Sequence, residues 1–178
     1  MRIIAGTLGG RMIHEPHGHK THPMSEKIRG ALFNVLGDIE GLTVLDAFAG
    51  SGAIAIEAIS RGAKFVVAVD KDRAAHDVLD KNVQELGIRE ILDPVRANVG
   101  GWSIHNMERK FDIVVLDPPY DQIKTPLLQT LVSRHAKKGG VIALSFPGHA
   151  DPPEFERTEL ISQKNYSDAQ LVFYRKIS

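Results

Sequence analysis

Three stretches of this chain are built alike: a near-continuous apolar run that stops at an aspartate. They are residues 42–46, 65–70 and 111–117, ending at Asp46, Asp70 and Asp117. A strand with one wet face alternates polar and apolar residues, whereas a strand covered on both faces does not. These runs therefore predict parallel strands in a sheet with helices on both faces. Helical segments fall where that architecture needs them. Residues 50–61 precede Gly62, and Asp72 caps a segment reaching Leu86, with Gly87 beyond. Residues 102–108 and 125–136 supply two more helices. Residues 91–96 read as a strand, as do residues 141–146 after a turn at Gly139 and Gly140. Residues 157–163 and 170–176 read as a closing antiparallel pair. The alternation places the chain in the α/β class with a mostly parallel sheet.

The segment before the first run has a different character. Residues 2–5 and 11–14, joined through Gly6, Gly9 and Gly10, predict a small β-hairpin. Pro16 to Pro23 is loop, and Ser25 can cap a helix over 26–36 that stops at Gly37. The 178 residues suit one domain, 1–178, with 1–24 as an N-terminal arm and 25–178 as the core. The chain has no Cys, which excludes disulfides, thiolate metal sites and cysteine nucleophiles. The apolar runs are too short to span a bilayer, and the first residues lack a signal-peptide layout. The expectation is a soluble cytoplasmic protein with no membrane contact. Lys+Arg and Asp+Glu balance at 22 each, so only a local patch can attract nucleic acid. Residues 1–29 hold one: Arg2, Arg11, Lys20, Lys27 and Arg29 against Glu15 and Glu26. This is either an ordinary solvated hairpin or a phosphate-contacting arm. His14, His17, His19 and His22 lie there too, but their spacing fits no common zinc pattern, so no metal is expected.

Open parallel sheets bind ligands at the carboxyl ends of their strands. The first strand leads there into Asp46-Ala-Phe48-Ala-Gly50-Ser51-Gly52-Ala-Ile-Ala55, and Asp70 follows 20 residues after Gly50. The glycines allow close approach to the backbone, and the helix start offers free N–H groups. A dinucleotide such as NAD is one candidate, served by an oxidoreductase. Asp46 opposes it, because a carboxylate beside the loop repels a pyrophosphate but attracts an ammonium. S-adenosylmethionine carries an α-amino group, a sulfonium and a ribose and no phosphate, so the loop favours it. Asp70 is then placed to accept from the ribose hydroxyls. Asn98, after the third strand, either bonds the adenine edge or is a solvated loop residue.

Asp117-Pro118-Pro119-Tyr120 is the second informative feature, and it follows another buried strand at the same sheet edge. The two prolines stiffen the turn and remove two donors. An Asp side chain and a Pro carbonyl can accept both hydrogens of one –NH2 group, and Tyr120 offers a face on which a base can stack. That is what methylation of an exocyclic aromatic amine requires. Its nitrogen lone pair is delocalised, and holding both hydrogens from one side aims the pair at an electrophilic methyl.

With these two features together, the chain resembles the class I S-adenosylmethionine-dependent methyltransferases. More closely it resembles the RsmD family, which methylates a guanine N2 of 16S ribosomal RNA. The likeness is carried by Arg2-Ile-Ile-Ala-Gly6, Gly10-Arg11, Arg29, Leu32-Phe33-Asn34, the glycine loop, Glu57-Ala-x-Ser60-Arg61-Gly62, the Asp117 to Tyr120 tetrapeptide and Tyr166-Ser167-Asp168. It departs from the family pattern at His22, Met24 and Gly30. The resemblance implies a Rossmann-like seven-stranded sheet with a final antiparallel strand, and an N-terminal arm that helps hold ribosomal RNA. The implied catalytic set is Asp117, Pro118, Pro119 and Tyr120. The implied cofactor set is Asp46, Phe48, Gly50, Ser51, Gly52, Asp70, Lys71, Asn98 and Asp117, with Ser25 helping to close over the ligand. The expected partner is 16S ribosomal RNA, a small ribosomal subunit or an assembly intermediate, met by a monomer. A DNA or RNA adenine-N6 methyltransferase is the alternative, and a non-catalytic RNA-binding factor on the same fold is a further one.

Overall fold

β-Branched and small apolar residues dominate the central runs, and these runs form strands. In a computed structural model, which describes residues 1–16 and 24–178, the chain proceeds through α1 (Glu26–Leu36), β1 (Thr43–Asp46), α2 (Ala53–Ser60), β2 (Phe65–Asp70) and α3 (Arg73–Leu86). Then come β3 (Leu92–Arg96), α4 (Val99–His105), β4 (Phe111–Leu116), a 3-10 turn (Tyr120–Gln122), α5 (Thr125–His135), β5 (Ala136–Pro147), β6 (Thr158–Tyr166) and β7 (Ala169–Lys176). The seven strands make one sheet in the order β3-β2-β1-β4-β5-β7-β6. β7 runs antiparallel between β5 and β6, and the other pairings are parallel. The Rossmann-like sheet implied by the resemblance is therefore present.

The apolar runs bury both faces of this sheet. Side chains alternate along each strand, so Val44, Val66, Ala68, Ile113 and Val115 pack with Leu32, Phe33, Ile56 and Leu79 of α1–α3. Leu45, Val67, Val69, Val114 and Leu116 pack on the opposite side with Trp102, Leu128, Leu131 and Val132 of α4 and α5. After β1 the chain builds outward through β2 and β3, and after β4 it builds the other way. The crossover direction thus changes between β1 and β4, which is where such sheets open a ligand site. Their carboxyl ends carry Asp46 and the Asp117 corner.

Four expectations need correction. The N-terminal hairpin forms but is shorter than expected: Arg2 bridges Met12, and N–H groups of Ile3, Gly10 and Ile13 donate to the carbonyls of Arg11, Ile3 and Met1 at 2.9, 2.7 and 2.8 Å. Beyond Ile3 the backbone turns to α2: Glu57 accepts the N–H of Ile4 at 2.8 Å and of Ala5 at 3.1 Å, and Ser60 Oγ accepts that of Leu8 at 2.9 Å. Gly6 makes this possible, since a Cβ there would lie 1.9 Å from the Ser60 carbonyl oxygen. Second, Arg29 is no phosphate contact. It is 1% exposed, donates to the Arg2 carbonyl and lies 3.5 Å from Glu57. Third, α4 starts at Val99 rather than Trp102, because Asn98 caps it by accepting from the N–H of Gly100 at 3.0 Å and of Gly101 at 3.4 Å. That cap offsets the poor helix propensity of two glycines. Fourth, Gly139 and Gly140 lie within β5, where the register with β4 shifts between Phe111 and Ile113, rather than in a turn before it.

His14 hydrogen-bonds Glu85 at 2.7 Å. His17, His19, Lys20 and His22 lie outside the described residues, so the metal and phosphate readings of that stretch do too. Among the described residues no helix is long and apolar enough to cross a membrane.

Glu57 thus holds the arm, Arg29 and, at 2.9 Å, Arg61 with one fully buried carboxylate. Removing it leaves a buried guanidinium without its counter-charge. Glu57→Ala should lower unfolding free energy by about 3–5 kcal/mol, measured by urea denaturation. A loss below about 1 kcal/mol, the range of exposed pairs, would show that the carboxylate does not hold the arm.

Candidate functional site

The acidic ends of β1, β2 and β4 converge. Asp46 is 0% exposed, and neither carboxylate oxygen has a hydrogen-bond partner. The N–H groups of Ala55 and Phe48 point toward it and favour the charged form, without reaching hydrogen-bond geometry. Burial outweighs them, and the charges of Asp117 and Asp70 add to it, pushing Asp46 up to about 8. Asp70 and Asp117 therefore both lie within electrostatic reach of Asp46. Such an edge attracts a cation and repels an anion. Because Ala55 belongs to the first turn of α2, Asp46 also occupies the helix end that a pyrophosphate would need.

The glycine loop crosses above Asp46. Gly50 has φ +56° with nothing within 4 Å of where a Cβ would stand, so its backbone faces open space. Gly52, at φ +89°, starts α2, and a Cβ there would lie 2.2 Å from Leu79 Cδ1. One glycine leaves room above the loop and the other lets the helix pack below it. Ser51 is buried, and Phe48 packs against the core beside α4 and α5. Asp70 braces the loop by accepting the Gly50 N–H at 2.8 Å, and accepts the Asp72 N–H at 2.8 Å with its other oxygen. Each oxygen keeps a further lone pair for a ligand hydroxyl.

The remaining cofactor candidates are placed less directly. Lys71 is exposed and reaches Gln122 Oε1 at 3.4 Å, tying the β2–α3 loop to the segment after Pro119. Asn98 spends its side-chain oxygen on the α4 cap, leaving only its NH2 group for a base edge. Ser25 caps α1 by accepting the Ile28 N–H at 3.2 Å.

Beyond β4 the chain forms the tetrapeptide corner. Asp117 is half-buried, and burial pushes its carboxyl up to about 6 against the opposing effect of a hydrogen bond with Ser145. The Pro119 carbonyl accepts the Gln122 N–H at 3.0 Å, closing the 3-10 turn. The carbonyl left beside Asp117 for an amine is therefore that of Pro118. Tyr120 is 40% exposed, so its ring can take a base, while its hydroxyl bonds Ser145 Oγ at 2.7 Å. Burial, with the Asp117 charge adding to it, holds that phenol above its ordinary range, so it stays protonated. Sequence reading missed Ser145. It lies two strands away in spatial order from β1, and only the β4–β5 register, with Leu116 opposite Leu144, brings it beside Asp117. Its one sequence signal is a hydroxyl near the end of an otherwise apolar run.

This geometry agrees with what the chain resembles. A family model described as conserved hypothetical protein 95 matches residues 1–175. The chain belongs to this family, the RsmD-type methyltransferases. It is 30% identical to YlbH of Bacillus subtilis over 183 residues, covering 99% of both chains. Ribosomal RNA small subunit methyltransferase D of Escherichia coli is 34% identical over 121 residues, or 67% of this chain and 60% of that one. The solved structure of yhhF from Escherichia coli superposes with a TM-score of 0.89 at 26% identity, covering 99% of this chain and 98% of that one. The protein is thus a methyltransferase, and the carboxyl edge is its candidate active site.

The family site holds its charge at a cost to the fold. Asp46 and Asp117 bind protons more tightly folded than unfolded, where a carboxyl titrates at 3.8. Stability contributed by their protonated forms is therefore present at low pH and lost as pH rises through about 6 and then about 8. Asp46→Asn keeps the shape and removes the charge. Its melting temperature should exceed the wild type's at pH 8 by several degrees, with the two converging near pH 4. Parallel melting curves across that range would show that Asp46 is not the titrating group.

Proposed function

We propose that this methyltransferase uses S-adenosylmethionine to methylate the exocyclic N2 amine of a guanine in 16S ribosomal RNA. The observation that carries the reading is Asp46, a buried carboxylate with two unpartnered oxygens beside the Asp117 corner. A cationic ligand would supply the partner that the protein does not. S-adenosylmethionine, when bound, supplies an electrophilic methyl on a positively charged sulfur. Asp46 would take its ammonium, Asp70 its ribose hydroxyls, and Gly50 to Gly52 would let it approach the backbone, with Phe48, Ser51, Lys71 and Asn98 around it. We treat residues 1–178 as one methyltransferase domain with 1–24 as its arm.

On the target side, Asp117 and the Pro118 carbonyl accept the two amine hydrogens. Pro118 and Pro119 fix that pair of acceptors, and Tyr120 holds the base by stacking. The nitrogen lone pair is thereby turned out of the ring and toward the donor. As the bond forms, positive charge grows on the nitrogen, and the Asp117 carboxylate stabilises it without first removing a proton. Ser145 acts as a positioning residue: it bonds the Tyr120 hydroxyl, and its hydroxyl beside Asp117 favours the ionised carboxylate. Such a corner serves any exocyclic aromatic amine, so the choice of guanine N2 over adenine N6 rests on the family resemblance and on relatives named for small-subunit ribosomal RNA.

Incubation of labelled methyl donor with ribosomal RNA and small subunits, followed by nucleoside analysis, tests the reading. N2-methylguanosine is expected; N6-methyladenosine would move the protein to the alternative class. Asp117→Ala should cut turnover by at least about a hundredfold while S-adenosylhomocysteine affinity changes little. Asp70→Ala should weaken that affinity first. A melting-temperature rise with NAD and none with S-adenosylhomocysteine would reverse the cofactor assignment.

The rate should also fall as pH drops through the Asp117 value of about 6, because only the ionised carboxylate accepts both ways. The expected slope is about tenfold per pH unit. Ser145→Ala removes a hydroxyl that favours the ionised form of Asp117, so its acid limb should move to higher pH, and Ser145→Thr should restore it. An unmoved limb in Ser145→Ala would remove Ser145 from the site.

A further inference from the structure

The amino-terminal edge of the sheet, at the opposite end from the acidic site, gathers positive charge. Lys110 precedes β4, Lys137 and Lys138 lie in β5, Arg157 precedes β6, and Arg175 and Lys176 end β7. Their proximity shows in their effects on one another. Burial lowers the Lys176 ammonium from its usual range, and the charges of Arg157 and Lys110 lower it further. Lys138, Arg175 and Lys176 line a depression of about 480 Å³ together with Glu159. An adjoining one of about 340 Å³ shares Lys138 and Arg175 and includes Asp112.

Few of these cations are neutralised by a neighbour. Lys137 lies 3.3 Å from Asp112. Among the described residues, Lys110, Lys138, Arg157 and Arg175 have no carboxylate within 4 Å. Some basic side chains elsewhere on the surface are paired, as in Arg2 with Glu26 and Arg89 with Asp80; what distinguishes this edge is that its cations are crowded together. The acidic strand ends and this basic cluster thus lie at opposite edges of the sheet, with Glu159 and Asp112 as the carboxylates that line the basic depressions. Crowded like charges repel and cost stability, and a polyanion laid across them would offset that cost.

We infer that this edge is a second contact surface for the phosphate backbone of the RNA substrate. The inference rests on the RNA-methylating reading above. It also narrows the substrate. β4 has six residues, so the two edges are separated by about 20 Å at roughly 3.3 Å per residue. An RNA that offers a target base at one edge and its backbone at the other must span that distance, which a folded ribosomal RNA does and a dinucleotide does not.

The test compares wild type with the triple variant Lys110→Gln, Lys138→Gln, Arg175→Gln, with Lys138→Gln alone as a milder control. None of these residues touches the acidic edge. Unchanged S-adenosylhomocysteine affinity reports an intact site. On small ribosomal subunits the triple variant should raise KM about tenfold with kcat unchanged. The slope of log affinity against log salt should fall by roughly two to three, near one for each phosphate that is no longer neutralised. On a dinucleotide carrying the target base, too short to reach both edges, the two proteins should behave alike. Equal KM and equal salt slope on subunits would overturn the inference while leaving methylation itself intact. Weaker binding of the triple variant to anionic phospholipid vesicles, with the subunit salt slope unchanged, would also overturn it and reassign the patch to a lipid surface. Absence of any methylation of RNA by the wild type would instead defeat the functional reading beneath it.

Discussion

One carboxylate organises this protein. Asp46 ends the central strand, is excluded from water, and reaches no hydrogen bond. A buried charge without a partner is among the most expensive arrangements a fold can hold, so the group is driven toward its protonated form. The arrangement persists because every neighbour is set by the sheet. Parallel pairing puts Asp46 opposite Ala68 of β2 and Val115 of β4, and Asp70 and Asp117 end those same two strands. The edge that results is poorly suited to phosphate and well suited to a cationic ligand. Local disagreement between residue and environment is what functional sites show when the rest of a sequence is self-consistent.

The rest of the molecule serves to hold that edge in place. The arm wraps α2 through Glu57 and Ser60, and Asn82 of α3 pairs with the His14 backbone in both directions, at 2.9 and 3.1 Å. Arg29, which looked like a nucleic-acid contact from charge alone, is instead part of this clasp, while Arg2, Arg11 and Lys27 stay exposed. Further positive charge lies along the amino-terminal edge, where no single segment of sequence is rich enough in it to draw notice.

Much of the fold was legible because burial writes itself into composition. Strands covered on both faces must be apolar throughout, and helices between them need caps and stops. Asp72 with Gly87 and Ser25 with Gly37 bound helices as their chemistry predicts. The misplaced elements were those where two local rules competed. Gly100 and Gly101 argued against a helix that the Asn98 cap nonetheless begins. Gly139 and Gly140 spelled a turn, and they fall inside β5 at the place where its ladder with β4 skips from Ala136 to Val141. The arm spelled a hairpin and forms one, shortened where side-chain acceptors on α2 take the N–H groups of Ile4 and Ala5.

The amino-acid sequence alone determined the alternation of elements, the three acidic strand ends, the glycine loop and the rigid corner after β4. Each depends on neighbours within a few residues, whose steric and hydrogen-bonding preferences are written locally. Only the tertiary structure decided which charges are buried and which are shared. The elevation of Asp46 and Asp117, the bridge from Ser145 to Tyr120, the burial of Arg29 and the gathering of Lys110, Lys138 and Arg175 all join segments far apart in the chain. Electrostatic interaction depends on distance through space and on removal from water, and neither is fixed until the chain has folded.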